Sequence, residues 1–181
     1  KKNSAENYME KELYKELPTY TSFVYFPLGV DMERNLLISA PFYTNQVEII
    51  RHIAKSLPIH FRLIVKETPA QKSREWRKIS EYKEIQEIPN VVLMHPDVSS
   101  EEIIKKSSLV ITISGSSGLE AAFFEKPSII FSDTVYSFLP SVTRIENIEM
   151  LPGEIKNSLT KKVSADDISS FIAILEKNSF E

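Results

Sequence analysis

Three serines and two glycines lie within five consecutive residues, a composition that suits the binding of an anion. We call this stretch the serine turn; it comprises Ser114, Gly115, Ser116, Ser117 and Gly118, and Glu120 follows it closely. A β-branched run precedes the serine turn and an alanine-rich segment follows it, which predicts a turn between a strand and a helix. The first N–H groups of a helix lack intrahelical acceptors and favour a phosphate. The serine hydroxyls would add donors, and Glu120 could accept hydrogen bonds from sugar hydroxyls.

A purely structural explanation of the same residues stays open. A serine would cap the helix, the glycines would permit the turn, and Glu120 would be a favourable first-turn acid. The better-known glycine motifs are absent: there is no G-x-x-x-x-G-K-[ST] and no G-x-G-x-x-G. A nucleophile elbow needs glycine two positions after its serine, but Leu119 stands two positions after Ser117. Phosphate binding is the functional hypothesis that these comparisons leave.

The composition excludes several classes of protein. A chain of 181 residues suits one domain, and a net charge of −3 argues against nucleic-acid binding, which needs a basic surface. There is no cysteine, and the three histidines lie in no metal-binding or Ser-His pattern, so we predict no metal site and no catalytic triad. No apolar run is long enough for a membrane helix, and we expect a cytoplasmic protein. The chain does not begin with Met, so we expect a piece of something longer.

Alternating strands and helices must position the serine turn. Apolar runs predict strands at residues 23–28, 61–65, 91–94, 109–113 and 128–131. Helical patterns cover residues 7–17, 44–56, 73–87, 99–106 and 117–125, and Ser164 begins a final helix with a capping-box pattern. This order predicts an α/β fold, a Rossmann-like open parallel sheet with helices on both faces. Ligands of such sheets bind beyond the carboxyl ends of the strands.

Other polar residues have two readings each. Lys66 and Glu67 end a predicted strand and would offer a phosphate partner and a sugar acceptor, or else a solvated ion pair. Gln46 would contact the ligand or anchor its helix, and we expect Tyr136 to be packed rather than to cover a sugar. The basic residues around Trp76 would form a solvated helix face in preference to a surface for an acidic acceptor or a membrane; they are Lys72, Arg74, Arg77 and Lys78.

Several motifs occur in an order that resembles one protein family. They are Phe26-Pro27-Leu28-Gly29 with Glu33, Pro41 with Gln46, Lys66-Glu67-Thr68-Pro69, the serine turn with Glu120, and Lys126-Pro127 with Tyr136. Over residues 23–142 the chain resembles the capsule polysaccharide biosynthesis family of glycosyltransferase-like proteins, which includes transferases that use CMP-activated Kdo. The resemblance implies the C-terminal, nucleotide-sugar-binding half of a GT-B enzyme at residues 21–160. Residues 1–20 would be a helix and linker, residues 161–181 a C-terminal helix, and the N-terminal acceptor domain would lie outside this chain.

The resemblance also implies roles for individual residues. The donor would be a nucleotide sugar, a CMP-sugar rather than a UDP-sugar, bound as substrate with no cofactor and no metal. The serine turn would hold its phosphates, Lys66 would counter their charge and Glu120 would hold the ribose. His95 and Pro96 would line the base pocket, unless His95 is a surface or capping residue. Glu33 would be a general base facing a glycan or glycolipid acceptor, unless it is a solvated loop acid. The resemblance also leaves open that the full-length protein associates peripherally with the inner face of the membrane.

Two positions depart from the pattern of this family. Gly29 and Thr68 stand where the family has histidine, and an imidazole near a phosphate performs acid/base or electrostatic work that neither residue supplies. The first hypothesis is a glycosyltransferase domain that by itself binds nucleotide but transfers nothing. Two further hypotheses remain beside it. One is a non-catalytic binding domain. The other is a related enzyme, either a polyol-phosphate transferase that uses a CDP-activated donor or a sugar-nucleotide epimerase.

Overall fold

A six-stranded parallel sheet forms the centre of the computed structural model, which describes residues 2–19, 22–30, 43–69 and 77–178. The strands are β1 (Phe23–Pro27), β2 (Arg62–Lys66), β3 (Val91–Met94), β4 (Leu109–Thr112), β5 (Ser128–Ile130) and β6 (Val142–Arg144). Their spatial order is β3-β2-β1-β4-β5-β6, and every neighbouring pair is parallel. This is the doubly wound order. From β1 the chain adds β2 and β3 on one side and then returns to add β4, β5 and β6 on the other, so the strand order reverses between β1 and β4.

Seven α-helices accompany the sheet in the described part of the chain. They are α1 (Lys2–Glu12), α2 (Gln46–Ser56), α3 (Ile79–Gln86), α4 (Ser100–Lys106), α5 (Ser117–Phe123), α6 (Leu151–Leu159) and α7 (Ala165–Asn178). A 3-10 turn at Ile148–Met150 leads into α6. The predicted Rossmann-like α/β fold is confirmed. None of the helices within the described ranges has the length and apolar character needed to cross a lipid bilayer.

Helices cover both faces of the sheet because successive strand residues point to opposite sides. Val24 and Phe26 of β1 pack on one face with side chains of α1, α2, α3 and α6. Tyr25 lies between them in sequence and packs on the other face with α4 and α5, through residues such as Ile103 and Ala121. A parallel sheet buried on both faces explains why its strands are almost continuously apolar.

The N-terminal helix ends earlier than predicted because the chain then covers an edge of the sheet. Helix α1 ends at Glu12, and Tyr14 forms a parallel bridge with Met94 at the end of β3. The N–H of His95 donates to the carbonyl of Tyr14 at 2.8 Å. Since β3 is an edge strand, this contact occupies backbone groups that would otherwise be unpaired. Met9 and Leu13 are buried, so the segment expected to be a helix and linker packs on the domain.

Two elements have no counterpart in the sequence analysis. Strand β6 has only three residues, which is too short for a recognisable pattern of apolar residues. It is identified as a strand by its pairing with β5, and this pairing cannot be seen in the local sequence. Helix α6 contains Pro152 and Gly153, residues typical of a turn, but proline fits the first turn of a helix, where its missing N–H is not needed. The last helix begins as predicted, with the Ser164 hydroxyl accepting a hydrogen bond from the N–H of Asp166 at 3.2 Å.

Candidate functional site

A cleft of about 450 Å³ opens at the carboxyl ends of β1, β2 and β4. Its lining comprises residues 27–30 at the end of β1, 66–69 at the end of β2 and 112–117 at the end of β4, together with Tyr25, Ser100 and Glu120. The cleft therefore lies at the point where the strand order reverses, which is where doubly wound sheets bind ligands. Its volume is within the usual range of small-molecule sites, roughly 300 to 1,000 Å³. It brings together the serine turn, Lys66 and Glu67, which the sequence analysis singled out separately.

The serine turn presents backbone donors to the cleft. Helix α5 begins at Ser117, and the N–H groups of Gly118 and Glu120 donate to the carbonyls of Gly115 and Ser116 at 3.3 and 2.9 Å. The N–H groups of Ser116 and Ser117 have no acceptor in the part of the chain that the structure describes. Both residues line the cleft, so these donors are available to an anion there.

The hydroxyl of Ser117 is a buried polar group that no described residue satisfies. The residue is 9% exposed, and its Oγ has no hydrogen bond to any described residue. An unsatisfied buried hydroxyl costs on the order of 1 to 3 kcal/mol. Because Ser117 lines the cleft, an oxygen atom of a ligand could remove this cost.

Ser116 and Glu120 are bonded to each other rather than used to cap the helix. Ser116 is the residue before α5, but its side chain makes no capping hydrogen bond. Its hydroxyl donates instead to Glu120 Oε1 at 2.7 Å. For Ser116 the structural explanation of a capping serine is therefore wrong. Glu120 keeps a partly exposed carboxylate on the cleft wall, where a hydroxyl-bearing ligand could reach it.

The two glycines of the serine turn are explained by packing rather than by backbone conformation. Neither has a positive φ, so neither needs the conformational freedom of glycine. A Cβ at Gly115 would lie 2.8 Å from Thr112 Oγ1, and a Cβ at Gly118 would lie 2.7 Å from Tyr136 Oη. Tyr136 is buried and donates its hydroxyl to the carbonyl of Gly115, so it is packed as predicted. Gly118 faces this ring and does not line the cleft.

Lys66 places a buried amine in the cleft wall. The residue is 3% exposed, and Nζ donates to the carbonyl of Pro96 at 3.1 Å. Burial lowers the pKa of Lys66, while the negative charges of Asp97, Glu67 and Glu120 act in the opposite direction. An anionic ligand in the cleft would act as these carboxylates do and would favour the protonated amine.

Glu67 belongs to a buried hydrogen-bonded cluster. Arg77 Nε and Tyr82 Oη donate to Oε2 at 2.9 and 3.0 Å, and the Thr68 N–H donates to Oε1 at 2.8 Å. Lys66 and Glu67 are both buried, so the alternative of a solvated ion pair at the end of the strand is wrong. Arg77 is buried as well, so it is not part of the solvated helix face that was expected around Trp76. Both oxygens of Glu67 are thus engaged within the protein. Burial, followed by the charge of Glu67, raises the pKa of Tyr82.

Gln46 anchors the loop after β1. Its amide nitrogen donates to the carbonyl of Gly29 at 3.0 Å, and its Oε1 accepts from the N–H of Gly29 at 2.8 Å. The carbonyl of Gly29 also accepts from Arg77 Nη2 at 2.7 Å. Of the two interpretations of Gln46, the structure shows the anchoring one: its side chain ties the start of α2 to the backbone of Gly29 in the cleft wall. Asn45, the preceding residue, caps α2.

His95 and Pro96 do not line the cleft. His95 is buried beside α1, with Nε2 3.2 Å from Glu10 Oε1 in a direction that makes no hydrogen bond. Its Nδ1 accepts from the N–H of Asp97 at 3.3 Å. The predicted role of these two residues in a base pocket therefore has no support from the described cleft, since His95 faces the N-terminal helix. The carbonyl of Pro96 accepts the hydrogen bond of Lys66 Nζ and so helps to position this amine in the cleft wall.

Glu10, His95 and Asp97 are close enough together to be considered as metal ligands. The two carboxylates approach different ring nitrogens, Glu10 at Nε2 and Asp97 at Nδ1. Glu10 is also paired with Lys15 at 2.5 Å. A metal ion binds only one nitrogen of an imidazole, so the shortest contacts of these two carboxylates are not those of two ligands of one ion.

Several earlier candidates fall outside the described residues. Glu33 is one of them, and so are Lys72, Arg74 and Trp76. Lys78 is described and exposed. Tyr25 and Ser100 line the cleft although the sequence analysis missed them, and Tyr25 Oη donates to Ser100 Oγ at 3.5 Å. Burial is the main cause that raises the pKa of Tyr25.

The parallel sheet, its strand order and the cleft at the reversal point define an α/β Rossmann-like domain of the kind found in GT-B enzymes. The chain belongs to the family described as capsule polysaccharide biosynthesis protein, which matches residues 2–171. No curated protein matches the sequence significantly.

Solved structures share this fold at low sequence identity. The β-Kdo 2,7-transferase KpsC of Thermosulfurimonas dismutans is 15% identical with a TM-score of 0.56, covering 97% of this chain and 62% of that one. The UDP-GlcNAc 2-epimerase of Methanocaldococcus jannaschii is 15% identical with a TM-score of 0.59, covering 97% and 50%. The glycotransferase of kitacinnamycin is 17% identical with a TM-score of 0.53, covering 92% and 42%. The chain thus spans about half the length of the solved structures it matches.

Proposed function

We propose that this chain is the nucleotide-sugar-binding domain of a glycosyltransferase of capsule or surface polysaccharide synthesis. The observation that carries the proposal is the cleft at the reversal point, where the unpartnered Ser117 hydroxyl and the Lys66 amine line one cavity. The family and the fold support this proposal. The acceptor, a glycan or glycolipid, would bind to a domain outside this chain, at the inner face of the membrane.

Each group of the cleft has a role in this proposal. The N–H groups of Ser116 and Ser117 and the Ser117 hydroxyl would hold the donor phosphates, and Lys66 would neutralise part of their charge. When the acceptor hydroxyl attacks the anomeric carbon, it gives its proton to a general base, for which Glu33 is the candidate. The bond from that carbon to the phosphate oxygen breaks, and negative charge grows on the departing nucleotide. Donors already fixed in position stabilise such charge without reorganising, so we propose transfer without a metal. Glu120 would accept hydrogen bonds from the ribose.

A thermal-shift panel tests the binding step. A ligand present at ~100 times its Kd adds ~2.7 kcal/mol to the free energy of unfolding. We expect CMP, CDP, UDP or GDP to raise the melting temperature, with CMP giving the largest increase. Ser116→Glu should abolish the increase, because a carboxylate at this position repels a phosphate.

The matched control is Ser169→Glu, the same change at an exposed serine of α7. This variant should respond to nucleotides as the wild type does. If no nucleotide shifts the wild-type melting temperature, the proposed phosphate site is refuted. An equal response of Ser116→Glu and the wild type would move the site away from the serine turn.

A binding domain without turnover is a second candidate, favoured by the side chains of the cleft. The described lining contains no histidine, since Gly29 and Thr68 line it and His95 faces α1. Both oxygens of Glu67 are already bonded, which leaves Glu120 as the ionisable acid on the described wall. Nucleotide release from a nucleotide sugar by the full-length protein, with acceptor present, distinguishes the candidates: a transferase releases nucleotide and a binding domain does not.

A further inference from the structure

The position of the Lys66 amine depends on one peptide group, the one that joins Pro96 to Asp97. Lys66 is buried, and among the described residues its Nζ makes a single hydrogen bond, to the carbonyl of Pro96 at 3.1 Å. A buried charged group is costly unless it has a hydrogen-bond partner. The direction of this carbonyl therefore determines where the amine lies in the cleft wall.

The ring of His95 holds the same peptide group from its other side. The N–H of Asp97 donates to Nδ1 of His95 at 3.3 Å. The described part of the chain has no cis peptide bond, and in a planar trans peptide group the N–H and the carbonyl point in opposite directions. The hydrogen bond to His95 therefore sets the direction of the Pro96 carbonyl, and one rigid group connects the imidazole with the amine of Lys66.

His95 is itself fixed by the N-terminal segment. Its N–H donates to the carbonyl of Tyr14 at 2.8 Å, and its side chain is buried beside α1. Accepting a hydrogen bond at Nδ1 requires the neutral ring with its hydrogen on Nε2, the nitrogen that faces Glu10 Oε1 at 3.2 Å. Burial and these contacts restrict the ring to one orientation. A group so restrained can fix the direction of a neighbouring peptide.

We propose that His95 is a positioning residue for anion binding, which directs the Pro96 carbonyl and thereby places the Lys66 amine in the cleft. This inference rests on the proposed function, in which Lys66 neutralises part of the charge of the donor phosphates. Without the acceptor at Nδ1, the peptide group loses the bond that sets its direction, and the amine loses its fixed place. His95 thus acts on the ligand through Lys66, although it does not line the cleft.

Two substitutions of His95 separate this role from simple packing. The side-chain oxygen of asparagine commonly accepts a hydrogen bond from the backbone N–H two residues further on. His95→Asn therefore keeps an acceptor for the N–H of Asp97, whereas His95→Leu removes it. The probes are CMP, CDP, UDP and GDP, titrated by calorimetry. For the nucleotide that the wild type binds, we expect His95→Leu to weaken the affinity by on the order of 10-fold and His95→Asn to stay close to the wild type.

A double-mutant cycle with Lys66→Met supplies a readout that a purely structural role would not move. Lys66→Met should itself weaken binding, because it removes the positive charge. In the Lys66→Met background, His95→Leu should cause no further loss of affinity, since the amine that His95 positions is gone. Ile155→Val is the control for stability: it shortens a buried side chain of α6 outside the cleft, and should lower the free energy of unfolding without changing the affinity. Urea denaturation verifies that each variant is folded.

Three results would overturn the inference while leaving nucleotide binding intact. Additive losses in the cycle, or no loss for His95→Leu alone, would show that His95 does not act through Lys66. Equal losses for His95→Asn and His95→Leu would show that the acceptor at Nδ1 is not what matters. Wild-type affinity in Lys66→Met would show that the amine does not bind the anion. If the wild type binds none of the four nucleotides, the proposed function itself fails and the inference fails with it.

Discussion

The ring of Tyr136 lies directly against the Cα of Gly118, so close that a Cβ at position 118 would be 2.7 Å from Oη and 2.9 Å from Cε2. The same tyrosine donates its hydroxyl to the carbonyl of Gly115. The side chain of Tyr136, from the loop after β5, thus contacts both glycines of the serine turn. The loop, and not the backbone of the serine turn, explains why residue 118 is glycine.

Gly118→Ala should destabilise the protein. The added methyl group overlaps a buried ring that is held by its own hydrogen bond, and overpacking of this kind typically costs about 1 to 3 kcal/mol. Urea denaturation measures the loss. Gly153→Ala is the matched control: the residue is exposed within α6, where alanine should increase the free energy of unfolding by roughly 0.5 to 1 kcal/mol. Equal effects of the two changes would contradict the packing explanation.

Tyr136 should also make stability depend on alkaline pH. Burial is the main cause that raises the pKa of Tyr136, to about 12, against an ordinary value of 10.0. The unfolded chain therefore loses this proton at lower pH than the folded protein. The stabilisation is complete below pH 10 and is lost as the pH rises through about 12.

Tyr136→Phe removes this ionisation, so its free energy of unfolding should fall less steeply than that of the wild type over this pH range. Urea denaturation at a series of pH values compares the two slopes. Parallel slopes would show that the folded protein does not hold the proton of Tyr136.

Arg77→Met should be strongly destabilising because it leaves the Glu67 carboxylate buried without its ion-pair partner. Removing one partner of a buried pair costs about 3 to 5 kcal/mol. The double variant Glu67→Gln with Arg77→Met should lose less than the sum of the single changes. Arg51→Met serves as the comparison, because its pair with Glu84 is partly exposed and should be worth at most about 1 kcal/mol. Denaturant unfolding of all four variants tests this; a loss for Arg77→Met no larger than for Arg51→Met would contradict it.

Ser117→Ala should separate binding from stability. Since the Ser117 hydroxyl has no partner within the described part of the chain, its removal should leave the free energy of unfolding of the free protein unchanged or raise it. Nucleotide affinity should fall by about 1.5 to 3 kcal/mol, the usual worth of a hydrogen bond to a charged group. Ser141→Ala is the matched control, because its hydroxyl is also buried and unpartnered but lies outside the cleft. It should not change the affinity measured by calorimetry.

Local patterns predicted the strands well and the side-chain partners poorly. The apolar run at residues 91–94 became β3 with the same bounds, because a strand buried on both faces must be apolar throughout. His95 comes directly after it, yet its nearest carboxylate is that of Glu10, far away in the sequence. A partner at this separation has no signature in a local pattern.

The sequence by itself determined the alternating order of strands and helices and the position of the serine turn between β4 and α5. It also showed that polar residues follow the apolar runs of β1 and β2. These features follow from hydrophobic periodicity and from turn chemistry, which act over a few residues. Only the tertiary structure decided that Glu67 is bonded within the protein, that the Ser117 hydroxyl has no partner among the described residues, and that Gln46 holds the backbone of Gly29. Those properties depend on burial and on contacts between β1, β2 and β4, which packing creates when the sheet assembles.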